Sequence, residues 1–135
     1  MNKHEKNVLT FAGSLLFTGI IFGAFGAHIL KETLSENALE SFKTGVFYQI
    51  TQGLGLLLLI LIQKNFSLDL KLSSKLISIG ILLFSGSIYI LSLSEVIDLG
   101  VFKKIIGPIT PIGGLLMIVG WFTFIFKSIK YQKNP

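Results

Sequence analysis

Polar side chains stand at intervals inside otherwise apolar stretches of this 135-residue chain. Imidazole, phenol, amide and hydroxyl groups can bind a small neutral solute or a lipid headgroup, and they also bond to one another between helices. Two glycines shortly after a proline add the free amide donors of a helix start. The candidate polar cluster comprises His28, Tyr48, Gln49, Gln52, Tyr89, Ser92, Thr110, Gly113 and Gly114.

Catalytic chemistry has little support in these residue types. The chain contains no Cys, which excludes disulfides, thiol catalysis and Cys-based metal sites. A nucleophile with a base and an orienting group is missing, as is metal-ligand spacing, and His28 with a nearby serine is the only conceivable catalytic pair. We therefore predict a protein that is not an enzyme, with no catalytic residue, no cofactor and no metal.

The elements that position the cluster follow from the distribution of charge. Only 14% of the residues are charged, whereas a soluble domain has about a quarter. Four windows lack Asp, Glu, Lys and Arg, and each is near the roughly 20 residues that cross a bilayer as a helix. We predict one all-α domain, an integral membrane four-helix bundle, with spans at about 8–29, 44–63, 76–94 and 107–127.

The starts of two helices carry capping signals. Thr33 and Glu36 have the spacing of a capping box, which predicts Thr33 as the N-cap of an interfacial amphipathic segment at about 34–43 that runs into the second span. In the fourth span, Thr110 followed by Pro111 predicts a helix start, because proline has no amide hydrogen to satisfy there. The alternative is a longer helix kinked by Pro108 and Pro111.

The topology follows from the span count and the lysines. An even number of spans places both termini on one side together with the middle connection. Eight lysines lie on that side and four on the other, which predicts cytoplasmic termini. The lysines of the termini side are Lys3, Lys6, Lys64, Lys71, Lys75, Lys127, Lys130 and Lys133. Insertion and anionic lipid explain the net charge of +5, so we expect no nucleic-acid partner.

The direction of the spans brings the polar cluster together. Spans one and three end on the side where spans two and four begin, so the cluster falls in one half of the bundle. Small residues in the same spans let helices approach closely. The predicted packing glycines are Gly19, Gly23, Gly26, Gly45 and Gly86.

Four ordered motifs, the last in two parts, give the chain a family resemblance over nearly its whole length. They are Gly23-Ala24-Phe25-Gly26-Ala27-His28, Thr44-Gly45 with Tyr48-Gln49, Leu83-Phe84-Ser85-Gly86-Ser87 with Tyr89, Ile109-Thr110-Pro111-Ile112-Gly113-Gly114, and Gly120-Trp121. Together they resemble the bacterial domain of unknown function 423 family, which is similar to the eukaryotic transmembrane protein 256 group. The resemblance implies a four-helix protein of the bacterial plasma membrane without an established activity. One departure is Gln52, where the family pattern usually has His.

Two functions stay open at this stage. In the first, a non-enzymatic structural or interaction protein uses the polar half to hold the bundle together, with the bilayer and either a second copy or another membrane protein as partners. In the second, the polar half binds or passes a small neutral solute or a lipid headgroup. Mutual contact of Tyr48, Gln49 and Tyr89 favours the first, and a void between them favours the second.

Overall fold

The computed structural model describes residues 1–131, apart from the side chains of residues 25 and 27. This part of the chain is helical and contains no strand. Its elements are α1 (Lys3–Ile21), a π-helical turn (Phe22–Gly26), α2 (Ala27–Leu30), α3 (Glu36–Phe66), α4 (Lys71–Leu93), α5 (Phe102–Ile106) and α6 (Ile109–Ile129). Four helical stretches, α1 through α2, α3, α4, and α5 through α6, are long and apolar enough to cross a membrane. The predicted all-α fold of four spanning helices is confirmed.

Contacts at one end of the bundle bring together the beginning of α1, the α3–α4 turn and the end of α6. His4 Nε2 lies 3.0 Å from Ser74 Oγ, and the Lys127 ammonium donates to the Asp69 carbonyl. We call this the termini end, and the opposite end, with residues 31–35 and 94–108, the loop end. Lys133 and the rest of residues 132–135 lie outside the described residues.

Helices α3 and α4 form the centre of the bundle, with α1 packed mainly on α3 and α6 on α4. Within the described residues α1 and α6 do not meet, so the bundle is open on that side. The apolar core lies between the central helices, where Leu56, Leu59, Ile77 and Ile81 are almost completely buried. The outward faces of α1 and α6 are apolar and exposed, as lipid-facing surfaces are.

Glycines set the closest helix approach, between α4 and α6. A Cβ at Gly80 would lie 2.8 Å from the Gly113 carbonyl oxygen, and one at Gly120 would lie 3.2 Å from the Ser73 carbonyl oxygen. The first distance is shorter than real Cβ atoms show and the second is tighter than most Cβ contacts, so glycine at these positions lets the two backbones approach closely. This contact is the tightest seam of the fold, and the predicted packing glycines did not include Gly80 or Gly120.

Two predicted helix caps are wrong. Helix α3 begins at Glu36 with Ser35 as its N-cap, whose hydroxyl accepts from the Ala38 amide at 3.2 Å. The Thr33 hydroxyl instead donates to the Leu30 carbonyl, at the end of α2. Helix α6 begins at Ile109, so Thr110 lies inside its first turn rather than at the cap. Pro111 is accommodated because the amides of a first turn lack intrahelical partners anyway.

Of the two alternatives for the fourth span, the structure agrees with the longer helix disturbed at Pro108, since Phe102–Ile129 is one helical stretch with a break, and not with a helix that starts at Pro111. The short helix α5 ends at Ile106, and Gly107 and Pro108 form a turn before α6. The missing amide of Pro108 interrupts the helical ladder at this position. An unpredicted feature is the π-helical turn Phe22–Gly26 between α1 and α2, since its glycines were interpreted only as packing residues.

Candidate polar site in the loop half of the bundle

Gln49 is the centre of a hydrogen-bond network that joins three spans. Its side chain is only 5% exposed. The Nε2 atom donates to the Leu15 carbonyl and to Thr18 Oγ1, both at 2.8 Å, and the Oε1 atom accepts from the Tyr89 hydroxyl at 2.6 Å. Both amide hydrogens are therefore used. We call Gln49, Tyr89, Thr18 and the Leu15 carbonyl the Gln49 network.

Aromatic rings cover the Tyr89 side of this network. The Tyr89 ring meets the Phe22 ring edge to face, with centroids 5.2 Å apart, and lies 5.0 Å from the Phe42 ring. Phe42 in turn packs on Gly26, where a Cβ would lie 3.1 Å from the Phe42 ring. The π-helical turn thus contacts this aromatic cluster at both ends, through Phe22 on the Tyr89 ring and through Gly26 under the Phe42 ring.

Gln52, one turn after Gln49, bonds to α6. The indole Nε1 of Trp121 donates to Gln52 Oε1 at 2.7 Å. The Trp121 ring fills the space above Gly55, where a Cβ would lie 2.7 Å from the ring. Trp121 therefore connects α3 with α6. Thr18 and Trp121 were both missed at the sequence level, although a lone indole in an apolar helix needs a hydrogen-bond acceptor.

Two serines of α4 make further bonds between the spans. Ser85 donates to the Gly45 carbonyl at 2.8 Å, and Ser87 Oγ lies 2.6 Å from Thr110 Oγ1. Close approach at Gly45, where a Cβ would lie 2.8 Å from the Tyr89 ring, makes the first of these bonds reachable. Because the Thr110 hydroxyl bonds to Ser87 of α4, it does not cap α6.

Tyr48 is separated from the Gln49 network. It is 37% exposed, and its ring lies 4.7 Å from the Phe84 ring. Both rings line an apolar groove of about 580 Å³ between α3 and α6, together with Gln52, Gly114 and Trp121. Of the three residues proposed to discriminate the two functions, Gln49 and Tyr89 contact each other, whereas Tyr48 faces a groove.

Ser92 is the one buried side chain of the described residues whose polar atom has no hydrogen-bond partner. It is 3% exposed and lines a pocket of about 280 Å³ at the loop end, with Asn37, Ser41, Glu95 and Thr110. A buried hydroxyl usually finds a partner, so an unpaired one beside a polar pocket indicates space for a polar group.

Glu95 joins the two connecting segments at the loop end, residues 31–35 and 94–108. Its carboxylate accepts from the Ser35 hydroxyl at 2.6 Å and from the Ser35 amide at 2.7 Å. These two bonds, the side-chain bond first, hold the pKa of Glu95 below its usual value, and the positive charge of Lys103 acts in the same direction. The same contact selects Ser35 as the cap of α3.

The other predicted members lie outside the network. His28 is exposed on α2, and among the described residues its side chain lines neither the pocket at Ser92 nor the groove at Tyr48. Gly113 packs against the backbone of α4, where a Cβ would collide with the Phe84 amide nitrogen, and its amide is no free anion site. Gly114 lies in the groove beside Phe84. The sequence placed all three in one cluster because they share a membrane side.

The predicted packing glycines also differ from one another. A Cβ at Gly19 would lie 2.7 Å from Ile50, and one at Gly23 would lie 3.4 Å from Val46. Gly26 and Gly45 face aromatic rings, as described above. The packing role predicted for Gly86 is wrong, because nothing lies within 4 Å of a Cβ at that position.

The histidine that contacts a serine in the structure is His4, whereas the sequence pointed to His28. His4, at the termini end, contacts Ser74, and the Ser74 hydroxyl donates its single hydrogen to the Lys71 carbonyl at 3.1 Å. His4 and Ser74 are thus a His–Ser pair at the termini end, away from His28 and the polar site. Among residues 1–131, no group of three His, Cys, Asp or Glu side chains could hold a metal ion.

The fold and the hydrogen bonds between its spans define a small multi-pass membrane protein. Residues 22–114 match the model of a family described as a protein of unknown function, DUF423. The chain belongs to this family, the same one that its sequence motifs indicated.

Curated relatives cover most of the chain. The chain is 39% identical over 109 residues to a UPF0382 membrane protein of Staphylococcus epidermidis, covering 81% of this chain and 84% of the relative. It is 34% identical to the UPF0382 membrane protein YwdK of Bacillus subtilis, with 92% and 95% covered, and 32% identical to the UPF0382 inner membrane protein YgdD of Escherichia coli, with 96% and 95% covered. No solved structure matches the chain. These names state a membrane location and no activity.

Proposed function

We propose that the chain is a non-enzymatic structural or interaction protein of the bacterial plasma membrane. The Gln49 network carries this proposal, because the buried Gln49 amide uses its donors and its acceptor in bonds to Leu15, Thr18 and Tyr89 of the neighbouring helices. A site that binds solute directs unsatisfied donors or acceptors into a void. Here the same groups bind α1, α3 and α4 together.

The experiment for this role compares variants in detergent. Gln49→Leu and Tyr89→Phe lower the thermal unfolding temperature, whereas Tyr48→Phe, at the exposed groove, leaves it close to wild type. An unchanged unfolding temperature for both Gln49→Leu and Tyr89→Phe contradicts a structural role of the polar half. Chemical cross-linking in the membrane then distinguishes a second copy of the chain from another membrane protein as its partner.

The proposed orientation has both termini in the cytoplasm. The basis is the charge of the two ends, since seven described lysines lie at the termini end and four at the loop end. The chain has no Cys, so single substitutions report sidedness directly. An impermeant maleimide added to intact cells labels Val96→Cys at the loop end and not Asn65→Cys at the termini end. The reverse pattern contradicts the proposed orientation.

A second candidate function is supported by Ser92 and its pocket. The unpaired hydroxyl and the polar lining would accept a small neutral solute or a lipid headgroup at the loop end. Proteoliposomes that contain the protein would then show glycerol flux or glycerol binding, and Ser92→Ala would reduce it. Ser94→Ala is the matched control, because Ser94 bonds its own helix at the Leu91 carbonyl. Absence of glycerol flux together with absence of retained lipid contradicts this function.

A further inference from the structure

A second groove lies at the termini end, away from the polar site. Helices α1 and α4 both begin at this end, where His4 contacts Ser74, and they run in the same direction. The groove between them has a volume of about 520 Å³, within the roughly 300–1,000 Å³ of small-molecule sites. Its lining residues are His4, Asn7, Val8, Phe11, Lys75, Ser78, Ile79 and Leu82.

The two helices present the same polar-to-apolar order to this groove. On α4, Lys75 and Ser78 are followed by Ile79 and Leu82, which occupy one face at the spacing i, i+3, i+4 and i+7. Helix α1 has the same spacing and the same order, with His4 and Asn7 followed by Val8 and Phe11. The groove is therefore polar at its mouth and apolar about 10 Å deeper.

The charge at the mouth has one sign. Lys75 is exposed there, and none of the groove's lining residues is Asp or Glu. The carboxylate of the adjacent Glu5 is held elsewhere, by the Asn2 amide and the Gln63 side chain. The pocket at the loop end has the opposite character, because Glu95 lines it. A cationic mouth above an apolar channel complements a molecule with an anionic head and an apolar tail.

We propose that the groove between α1 and α4 binds one anionic phospholipid. Its phosphate lies at Lys75, with Asn7 and Ser78 as hydrogen-bond donors, and an acyl chain runs along Phe11, Ile79 and Leu82. The His4–Ser74 contact fixes the separation of the two helices at the mouth. This site is independent of the Gln49 network and of the Ser92 pocket.

Native mass spectrometry of the full chain tests the proposal. The protein is reconstituted with equal amounts of phosphatidylglycerol and phosphatidylcholine, and the lipid retained after detergent transfer is measured. We expect phosphatidylglycerol to be retained preferentially, and Lys75→Gln to reduce its retention about fivefold, the effect of one lysine near an anionic lipid. Lys64→Gln is the matched control, because Lys64 is exposed at the same end but does not line the groove.

A second variant tests the apolar part of the groove. Leu82 is 56% exposed, so Leu82→Trp fills the channel without disturbing the buried core, and it should reduce retention while Lys75 is intact. Circular dichroism and size-exclusion chromatography verify that Lys75→Gln, Lys64→Gln and Leu82→Trp fold. Equal retention of the two lipids overturns the proposal because it shows no preference for an anionic headgroup. Equal effects of Lys75→Gln and Lys64→Gln also overturn it, because they indicate only a general attraction to the basic surface.

Discussion

The Tyr89 hydroxyl donates a 2.6 Å hydrogen bond to Gln49 Oε1, and this bond connects the two central helices, α4 and α3. The same amide group continues to α1 through Thr18 and the Leu15 carbonyl. In a bilayer, helices gain little from hydrophobic burial against each other, so packing and bonds between helices determine their arrangement. The polar half of this bundle is best explained as part of that arrangement.

Removing the Gln49 amide tests this explanation at its centre. Gln49→Leu leaves the Tyr89 hydroxyl without its acceptor and removes two donors, so we expect a loss of about 1–3 kcal/mol in the free energy of unfolding. The measurement is equilibrium unfolding in mixed micelles. Asn65→Leu is the control, because it removes an exposed amide from the same helix and should change stability little. Equal effects of the two variants would argue against the network.

The glycine seam between α4 and α6 provides a matched pair of substitutions. Gly113→Ala forces the two backbones apart, because its Cβ would lie 2.8 Å from the Gly80 carbonyl oxygen and closer still to the Phe84 amide. We expect a loss of about 1–3 kcal/mol from overpacking. Gly86→Ala places its Cβ in open space and should be neutral or gain up to about 1 kcal/mol from helix propensity. Thermal unfolding of both variants decides the matter.

The bond between Trp121 and Gln52 can be observed optically, because Trp121 is the single tryptophan of the chain. Gln52→Leu leaves the indole in an apolar groove without its acceptor, so its fluorescence emission should shift to shorter wavelength and the unfolding temperature should fall. Gln52→His restores an acceptor nitrogen and should retain wild-type stability. A stable Gln52→Leu variant with unchanged emission would show that the bond is absent.

The contact between Glu95 and Ser35 predicts a dependence on pH. The folded-state pKa of Glu95 lies below its unfolded value, so its contribution to stability is present above the unfolded pKa and disappears as the pH falls through the folded pKa. Wild type should therefore exceed Glu95→Gln in unfolding temperature at neutral pH, and the difference should vanish in strong acid. Glu32→Gln, at an exposed carboxylate of the same end, should show no such difference. A constant difference across the pH range would rule out the assigned contact.

The four helices could be predicted from the sequence because lipid excludes charge. Each charge-free window lies within one helical span, to within one residue at Ser94, and the windows end where lysines and acids reappear. The common side of Gln49, Tyr89 and Thr110 also follows from counting spans. The position of each span and the membrane side of each residue depend only on the local sequence and the bilayer, so both can be predicted from sequence patterns.

The contacts between helices could not be predicted in the same way. Ser35 replaces Thr33 as the cap because Glu95, from another connection, bonds to it. Thr110 lies within α6, where its hydroxyl meets Ser87. His28 shares a membrane side with the network without touching it. Each outcome depends on the rotation of one helix relative to another, which the close backbone approaches determine.

A double-mutant cycle on Gln49 and Tyr89 tests the central claim most directly. The free energy of unfolding is measured in mixed micelles for wild type, Gln49→Leu, Tyr89→Phe and the double variant. A direct bond between the two side chains predicts a coupling energy of about 0.6 kcal/mol, the average for hydrogen bonds between membrane helices, and at most about 1.7 kcal/mol. Additive effects of the two substitutions, with a coupling energy of zero, would contradict the claim that the polar half of the bundle binds to itself.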